Sequence, residues 1–211
     1  RMMAESGAMP VRATKRGDER TPLDGERDVL ICGASFAGLA IARELAGSGA
    51  DVLVVDRYEI GERQTSACGI PTEWLERLGL MAAERQRFDT LVMHTPHGTS
   101  RYRLPWTFST FDYRELCQLL WRDCDATFET AKVNGRAAPA NGDGRIAIDT
   151  DRGTIAAPLV VDALGWRRML ASGDGYQPPD APLSRGLEVH PGGGSEALEV
   201  WIDRKYVPAR Y

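Results

Sequence analysis

The chain has 211 residues, 43% of them hydrophobic and 27% charged, with a formal net charge of −4, which is the balance of an ordinary globular protein with a sizeable core. Mild acidity supplies no clustered basic face, so no nucleic-acid partner is expected. The longest apolar runs, Val52 to Val55 and Ala156 to Val161, are strand-sized and far short of the roughly 20 residues that cross a bilayer, so no transmembrane segment is expected.

Residues 1–27 are rich in charge and small side chains and lack an apolar h-region. They read as a disordered leader and not as a secretory signal. The four cysteines, Cys32, Cys68, Cys117 and Cys124, form no C-x-x-C pair, which favours reduced thiols and a cytoplasmic location. His94, His97 and His190 have no ligand spacing to thiols or carboxylates, so no metal site is expected.

In chain order, Asp28 to Gly33 is a short apolar run ending in glycine, and Phe36 to Ala46 follows at helical spacing, with Ala42 and Ala46 extending a small-residue face from Gly38. Gly47-Ser48-Gly49 stops that helix, and Asp51 to Asp56 is a second apolar run closed by a carboxylate. The unit reads as βαβ, a parallel pair with a right-handed crossover. A short helix is expected from Pro71 to Leu80. Strands are expected at Leu91 to His94 and Ser100 to Leu104, turning at His97-Gly98. Asp112 is a plausible N-cap for a helix from Tyr113 to about Cys124, with Glu115 at capping-box spacing and Leu116, Cys117, Leu120 and Cys124 on one stripe. Thr127 to Val133, Arg145 to Thr150, Thr154 to Ala156 and Leu159 to Asp162 read as strands, punctuated by turns at Asn134-Gly135, Asn141-Gly142 and Arg152-Gly153. Leu187 to His190 and Leu198 to Asp203 read as strands of a separate sheet, joined through Pro191 to Gly194, and the chain is expected to continue past Tyr211.

Between the first strand and helix lies Gly33-Ala34-Ser35-Phe36-Ala37-Gly38, a G-x-G-x-x-G pattern whose second glycine is serine. Gly33 suits a tight turn and Gly38 close helix–strand packing, while the second position lets backbone approach a pyrophosphate. Ser35 adds a Cβ there, yet brings a hydroxyl able to donate to phosphate. The helix N-terminus adds N–H groups and about half a positive charge. Asp56 ends the second strand about 20 residues on, where a carboxylate accepts from an adenosine ribose. Arg57 beside it reads either as a solvated charge or as a cofactor contact.

The stretch Asp28 to Arg57 resembles the FAD-binding fingerprint of glutathione-reductase-type flavoproteins, within the branch of geranylgeranyl reductases, aromatic hydroxylases and flavin halogenases. Phe111 to Leu116, with Arg114 ahead of Leu116 and Leu119, is similar to that branch's later helix start. Val160 to Gly165 resembles its second FAD segment, and Ser66-Ala67-Cys68-Gly69 resembles its Cys-Gly loop close to the flavin. The resemblance implies an α/β fold, with a Rossmann-like FAD-binding βαβ domain, inserted β-rich segments and part of a β-sheet substrate domain. Residues 28–85 and 112–170 would form the first domain, and residues 86–111 and 183–211 the second. It also implies that Gly33, Ser35, Phe36, Ala37 and Gly38 cradle the pyrophosphate of FAD, and that Asp56 meets the ribose, with Arg57 beside it a contact to adenine or phosphate. Val133 would border the adenine, Arg114, Asp162 and Gly165 would flank the phosphates or ribityl chain, and Cys68 would act beside the flavin. For Arg114, Asp162 and Cys68 the plainer readings are an exposed cation, a turn cap and a small buried hydrophobe. Trp106, Phe108 and Phe111 either line a lipophilic pocket or cover a sheet.

The resemblance makes the chain an FAD-dependent oxidoreductase acting on a bulky apolar or aromatic small molecule, by C=C reduction or by monooxygenase or halogenase chemistry, with NAD(P)H or another electron donor. Two rival readings are an NAD-dependent dehydrogenase, whose ribose Asp56 would suit equally, and a non-catalytic fragment of a flavoprotein.

Overall fold

The computed structural model describes residues 21–64, 66–138, 144–165, 169–170 and 193–202. The elements run β1 (Gly25–Glu26), β2 (Val29–Cys32), α1 (Phe36–Glu44), β3 (Val52–Asp56), β4 (Gly69–Pro71), α2 (Thr72–Arg77), a 3-10 turn (Met81–Ala83), β5 (Glu84–Thr95) and β6 (Gly98–Phe111). They continue with α3 (Tyr113–Arg122), β7 (Thr127–Thr130), β8 (Val133–Arg136), β9 (Ile146–Thr150), β10 (Gly153–Ala157), β11 (Leu159–Asp162) and β12 (Leu198–Trp201). Two compact units divide the chain: Arg1–Thr65 with Cys117–Tyr176, and Ser66–Leu116 with Gln177–Tyr211.

In the first unit, β11, β2, β3 and β7 form an all-parallel sheet in that order. The runs Val29 to Cys32 and Val52 to Val55 are buried at every position, as strands covered on both faces must be. The helix α1 crosses from β2 to β3 and buries Gly38, Leu39 and Ala42. Its face stops there: the helix ends at Glu44, before the exposed Ala46 that the small-residue spacing placed on it. Gly47, at φ +76°, closes the turn, with its N–H donated to Asp125.

A second sheet of this unit, β1-β10-β9-β8, packs its Ile148, Ile155 and Ala157 with Leu30, Cys32, Leu53 and Val55 in one core cluster. The run expected from Thr127 to Val133 is two strands, because the chain leaves the parallel sheet after Thr130 and enters the mixed one at Val133. Asn134-Gly135 is correspondingly no turn. Gly135, at φ +153°, sits where β8 shifts register against β9, a bulge that favours glycine. The expected leader is also shorter than residues 1–27. Strand β1 pairs in parallel with β10, Leu23 is buried, Leu23 N–H donates to Arg152 O, and Asp24 accepts from Thr154 N–H at 2.7 Å. A two-residue strand within a charged run leaves no periodic signal, which is why sequence alone merges it with what precedes. The remainder of that expectation, residues 1–20, lies outside the described residues, as do Leu187 to His190 and the start of the Pro191 turn.

The second unit is a sheet ordered β12-β5-β6-β4. Its centre is a hairpin of strands 12 and 14 residues long, reaching well beyond the two short strands expected around His97-Gly98. Register shifts near Arg85 and Asp89 and a charged N-terminal half interrupt the alternation that would reveal its length. Residues 66–85 belong to this unit and not to the first, because β4 pairs with β6 and Thr72 of α2 hydrogen-bonds Ser109 of β6. Asp112 caps α3 as expected, its Oδ1 accepting from Glu115 N–H at 2.9 Å. The reciprocal half of the capping box is replaced: Asp112 N–H donates to Ala83 O, and Glu115 pairs with Arg85.

Because Leu23 anchors the first strand, Leu23→Ala should lower stability by about 2 kcal/mol, read as a fall in the urea midpoint at unchanged slope. The Glu84 carboxyl is held below its ordinary range by hydrogen bonds from the Arg87 guanidinium, with burial opposing and Ser109 adding to the effect. A carboxyl lowered by folding contributes stability above its unfolded range and loses it as pH falls through the folded value. Acid titration below the ordinary carboxylate range should therefore reduce the urea midpoint, and Glu84→Gln should flatten that dependence.

Candidate functional site

The site is built where β2 hands over to α1. Gly33 adopts φ +112°, a region closed to most side chains, and a Cβ there would lie 2.3 Å from the carbonyl oxygen of Ala163. At Gly38 a Cβ would stand 1.8 Å from Gly33 O and 3.2 Å from Ile31 Cγ2. Neither obstacle is a movable side-chain tip at its closest point. The two glycines are thus steric requirements, the first of the turn and the second of the helix–strand approach. Between them Ser35 is the N-cap of α1 in extended conformation, its carbonyl accepting from Leu39 N–H at 2.9 Å while its hydroxyl makes no capping bond. The helix start therefore keeps its positive dipole end at the turn, with no acidic side chain in its first turn to neutralise it.

Strand register places three chain turns at one edge. Cys32 pairs with Val55 of β3 and with Asp162 of β11, so Gly33, Asp56 and the Asp162-Ala163-Leu164-Gly165 turn all leave the carboxyl ends of parallel strands. Open parallel sheets bind ligands at that edge. The Asp56 carboxylate accepts from Ala34 N–H at 2.8 Å and Tyr58 N–H at 3.0 Å, so it also holds the glycine turn. Arg57 is exposed, with its guanidinium carbon 4.8 Å from the Tyr58 ring centroid; Arg63 lies at 5.2 Å and donates to the Tyr58 hydroxyl.

Asp162 accepts from Leu164 N–H at 3.1 Å and from Leu170 N–H at 2.7 Å. Its carboxylate is engaged in holding its own turn, the plainer of the two readings for this residue. Gly165 takes φ +86° at the end of that turn. Burial, with a smaller contribution from the Asp162 charge, pushes the Cys32 thiol up to about 12, so this cysteine is an inert part of the core.

The structure thus gathers Gly33, Ser35, Phe36, Ala37, Gly38, Asp56, Arg57, Asp162 and Gly165 on the first unit. Val133 lies in that unit too, but its side chain is in the core cluster, which leaves only its main chain to meet a ligand. Arg114 and Cys68 belong to the second unit. Arg114 is exposed in the first turn of α3, and Cys68 is buried, its thiol 3.7 Å from Ser66 O. Phe111 is buried and Trp106 exposed. His94 bonds Thr99 and Glu199 and stacks on Trp201. Among the described residues no group of three or more His, Cys, Asp or Glu side chains could hold a metal, and no helix is long and apolar enough to cross a membrane. Sequence reasoning missed Ala163, whose carbonyl fills the space beside Gly33, and Leu170, whose N–H meets Asp162; nothing in a linear pattern signals either contact.

Residues 28–70 match the family described as FAD dependent oxidoreductase. The chain is 38% identical over 89 residues to digeranylgeranylglycerophospholipid reductase 3 of Methanosphaera stadtmanae, an alignment covering 40% of this chain and 22% of that protein. Among solved structures it is similar to a geranylgeranyl bacteriochlorophyll reductase-like protein of Thermoplasma acidophilum, with a TM-score of 0.55 at 15% identity over 65% of this chain and 38% of that one. It is also similar to the flavin-dependent brominase Bmp2, with a TM-score of 0.53 at 15% identity over 68% of this chain and 39% of that one. The likeness to these structures is one of fold, and Asp28 to Ile70 is the stretch that matches the FAD dependent oxidoreductase family. The chain spans about a fifth of the length of the curated relative it matches.

Gly38→Ala should be the most damaging single-methyl change at this edge, lowering stability by about 3 kcal/mol, read as a fall in the urea midpoint. Ser35→Gly restores the missing glycine of the pattern and should leave the urea midpoint within about 1 kcal/mol of the parent.

Proposed function

We propose that the complete protein is an FAD-dependent oxidoreductase that reduces a C=C bond, or activates oxygen, on a bulky apolar small molecule, and that this chain carries its ADP-binding half. The observation that carries the reading is the interlock of Gly33, Gly38 and Ala163, which leaves a concave main-chain turn at a helix N-terminus with a carboxylate at the end of the next strand. A helix N-terminus after a glycine turn suits a pyrophosphate on charge. The match over residues 28–70 and the reductase relative support FAD over a bare nicotinamide dinucleotide.

On this reading the main chain of Gly33 to Gly38 and the Ser35 hydroxyl hold the pyrophosphate, and Asp56 accepts from the adenosine ribose with its remaining lone pairs. Arg57 contacts the adenine or a phosphate, and the main chain of Val133 borders the adenine. Asp162 acts through the turn it holds, which presents Gly165. Arg114 and the Cys68-Gly69 stretch of the second unit serve the rest of the cofactor, Cys68 beside the flavin. Bound flavin would carry the hydride, while the protein binds, orients and shields. Electrons would come from NAD(P)H or another donor. The substrate class is supported by the similar reductases, which are named for a digeranylgeranylglycerophospholipid.

Adding FAD to the purified protein should raise its thermal midpoint and produce bound flavin absorbance, whereas NAD should do neither. Asp56→Ala should weaken FAD binding by about tenfold or more, the loss of a charge-assisted hydrogen bond. A midpoint raised by NAD and not by FAD would overturn the reading in favour of a dehydrogenase.

A further inference from the structure

The Cys68-Gly69 stretch is tied to strand β6 at consecutive points, and the ties explain its sequence. Gly69 opens β4 and pairs with Thr110. Its φ is not in the left-handed region, so the backbone does not call for glycine; instead the Phe108 ring occupies the space of its Cβ, which would lie 2.6 Å from Phe108 Cε1 and 2.9 Å from Cζ. Phe111 N–H donates to Cys68 O at 3.1 Å. Between these two aromatic residues stands Ser109, fully buried, with Thr72 also buried beside it. Ser109 Oγ donates to Glu84 Oε1 at 2.6 Å, so its single proton is committed, and the 2.7 Å contact with Thr72 Oγ1 must have Thr72 as donor. Glu84 is in turn gripped by Arg87 at 2.9 and 3.1 Å. The chain of donors therefore runs in one direction, from Thr72 through Ser109 to a carboxylate, and anchors the residue that follows β4 to the middle of the sheet.

We propose that Ser109 and Phe108 are positioning residues for the Cys68-Gly69 stretch: Ser109 holds the β4–α2 junction through Thr72, and Phe108 sets how closely Gly69 approaches β6. A buried hydroxyl that loses its partner costs far more than an exposed one. Removal of the Ser109 hydroxyl leaves both Thr72 and Glu84 without it, so the junction opens locally while the rest of the unit stays folded. The importance of that stretch to the reaction rests on the reading above that places Cys68 beside the flavin; the positioning itself does not.

The test uses the complete FAD-loaded protein and follows iodoacetamide alkylation of each cysteine by mass spectrometry, with the buried Cys32 and Cys117 as internal references. Ser109→Ala and Phe108→Leu should each raise the Cys68 rate by about tenfold or more with the reference thiols unchanged. Thr72→Ser, which keeps the donor, should retain the parental rate, whereas Thr72→Val should reproduce Ser109→Ala. An unchanged Cys68 rate in Ser109→Ala and Thr72→Val, or thiols that all rise together, overturns the proposal. The flavin absorbance of the same samples separates the two readings: a raised Cys68 rate with an unaltered flavin spectrum upholds the positioning and removes Cys68 from the flavin's side.

Discussion

Three main-chain segments meet at Gly33 with no room for a side chain, and the organisation of the first unit depends on that contact. The carbonyl of Ala163 stands where a Gly33 Cβ would be, and the carbonyl of Gly33 stands where a Gly38 Cβ would be. One glycine therefore sets the spacing between neighbouring strand ends, and the other sets how deeply α1 sits against β2. With both in place, the in-register strands β2, β3 and β11 deliver a helix N-terminus and two carboxylates to a common edge.

The two carboxylates are alike in sequence position, each closing an apolar run, but differ in what they do. Asp56 reaches back to the glycine turn through Ala34 N–H, so the end of β3 and the turn before α1 are tied by one acceptor. Asp162 turns inward to Leu164 and Leu170 and thereby seats Leu170 in the core cluster beneath the sheet. Its charge also reinforces the effect of burial on Cys32, keeping a thiol next to the glycine turn protonated and unreactive. In the second unit the same economy appears in Glu84, a single carboxylate joining Arg87 of its own strand to Ser109 of the next.

The βαβ unit was legible because its signals are local. Two short apolar runs, a glycine turn and a closing Asp56 lie within about 30 residues, the span of a βαβ motif, and each states its own geometry. The Asp112 cap was legible for the same reason. The length of the β5–β6 hairpin was not, since bulges and charged residues hide the period of two, and the split of Thr127 to Val133 between two sheets was not, since both halves have the same strand-like composition. Strand β1 has too few residues to show any period; it exists because β10 offers an edge, and Asp24 and Leu23 fit beside it.

By itself, then, the sequence determined the glycine turn at Gly33, the parallel pairing of β2 and β3 about α1 and the acidic end of β3, because backbone sterics and local periodicity act over a few residues. The tertiary structure alone decided which distant groups those elements meet. That Gly33 faces Ala163, that Asp162 is spent on Leu170, that Gly69 makes way for Phe108 and that Thr72, Ser109 and Glu84 form one donor chain all depend on contacts between residues far apart in the chain. Such contacts follow from strand order and register, which no local pattern encodes.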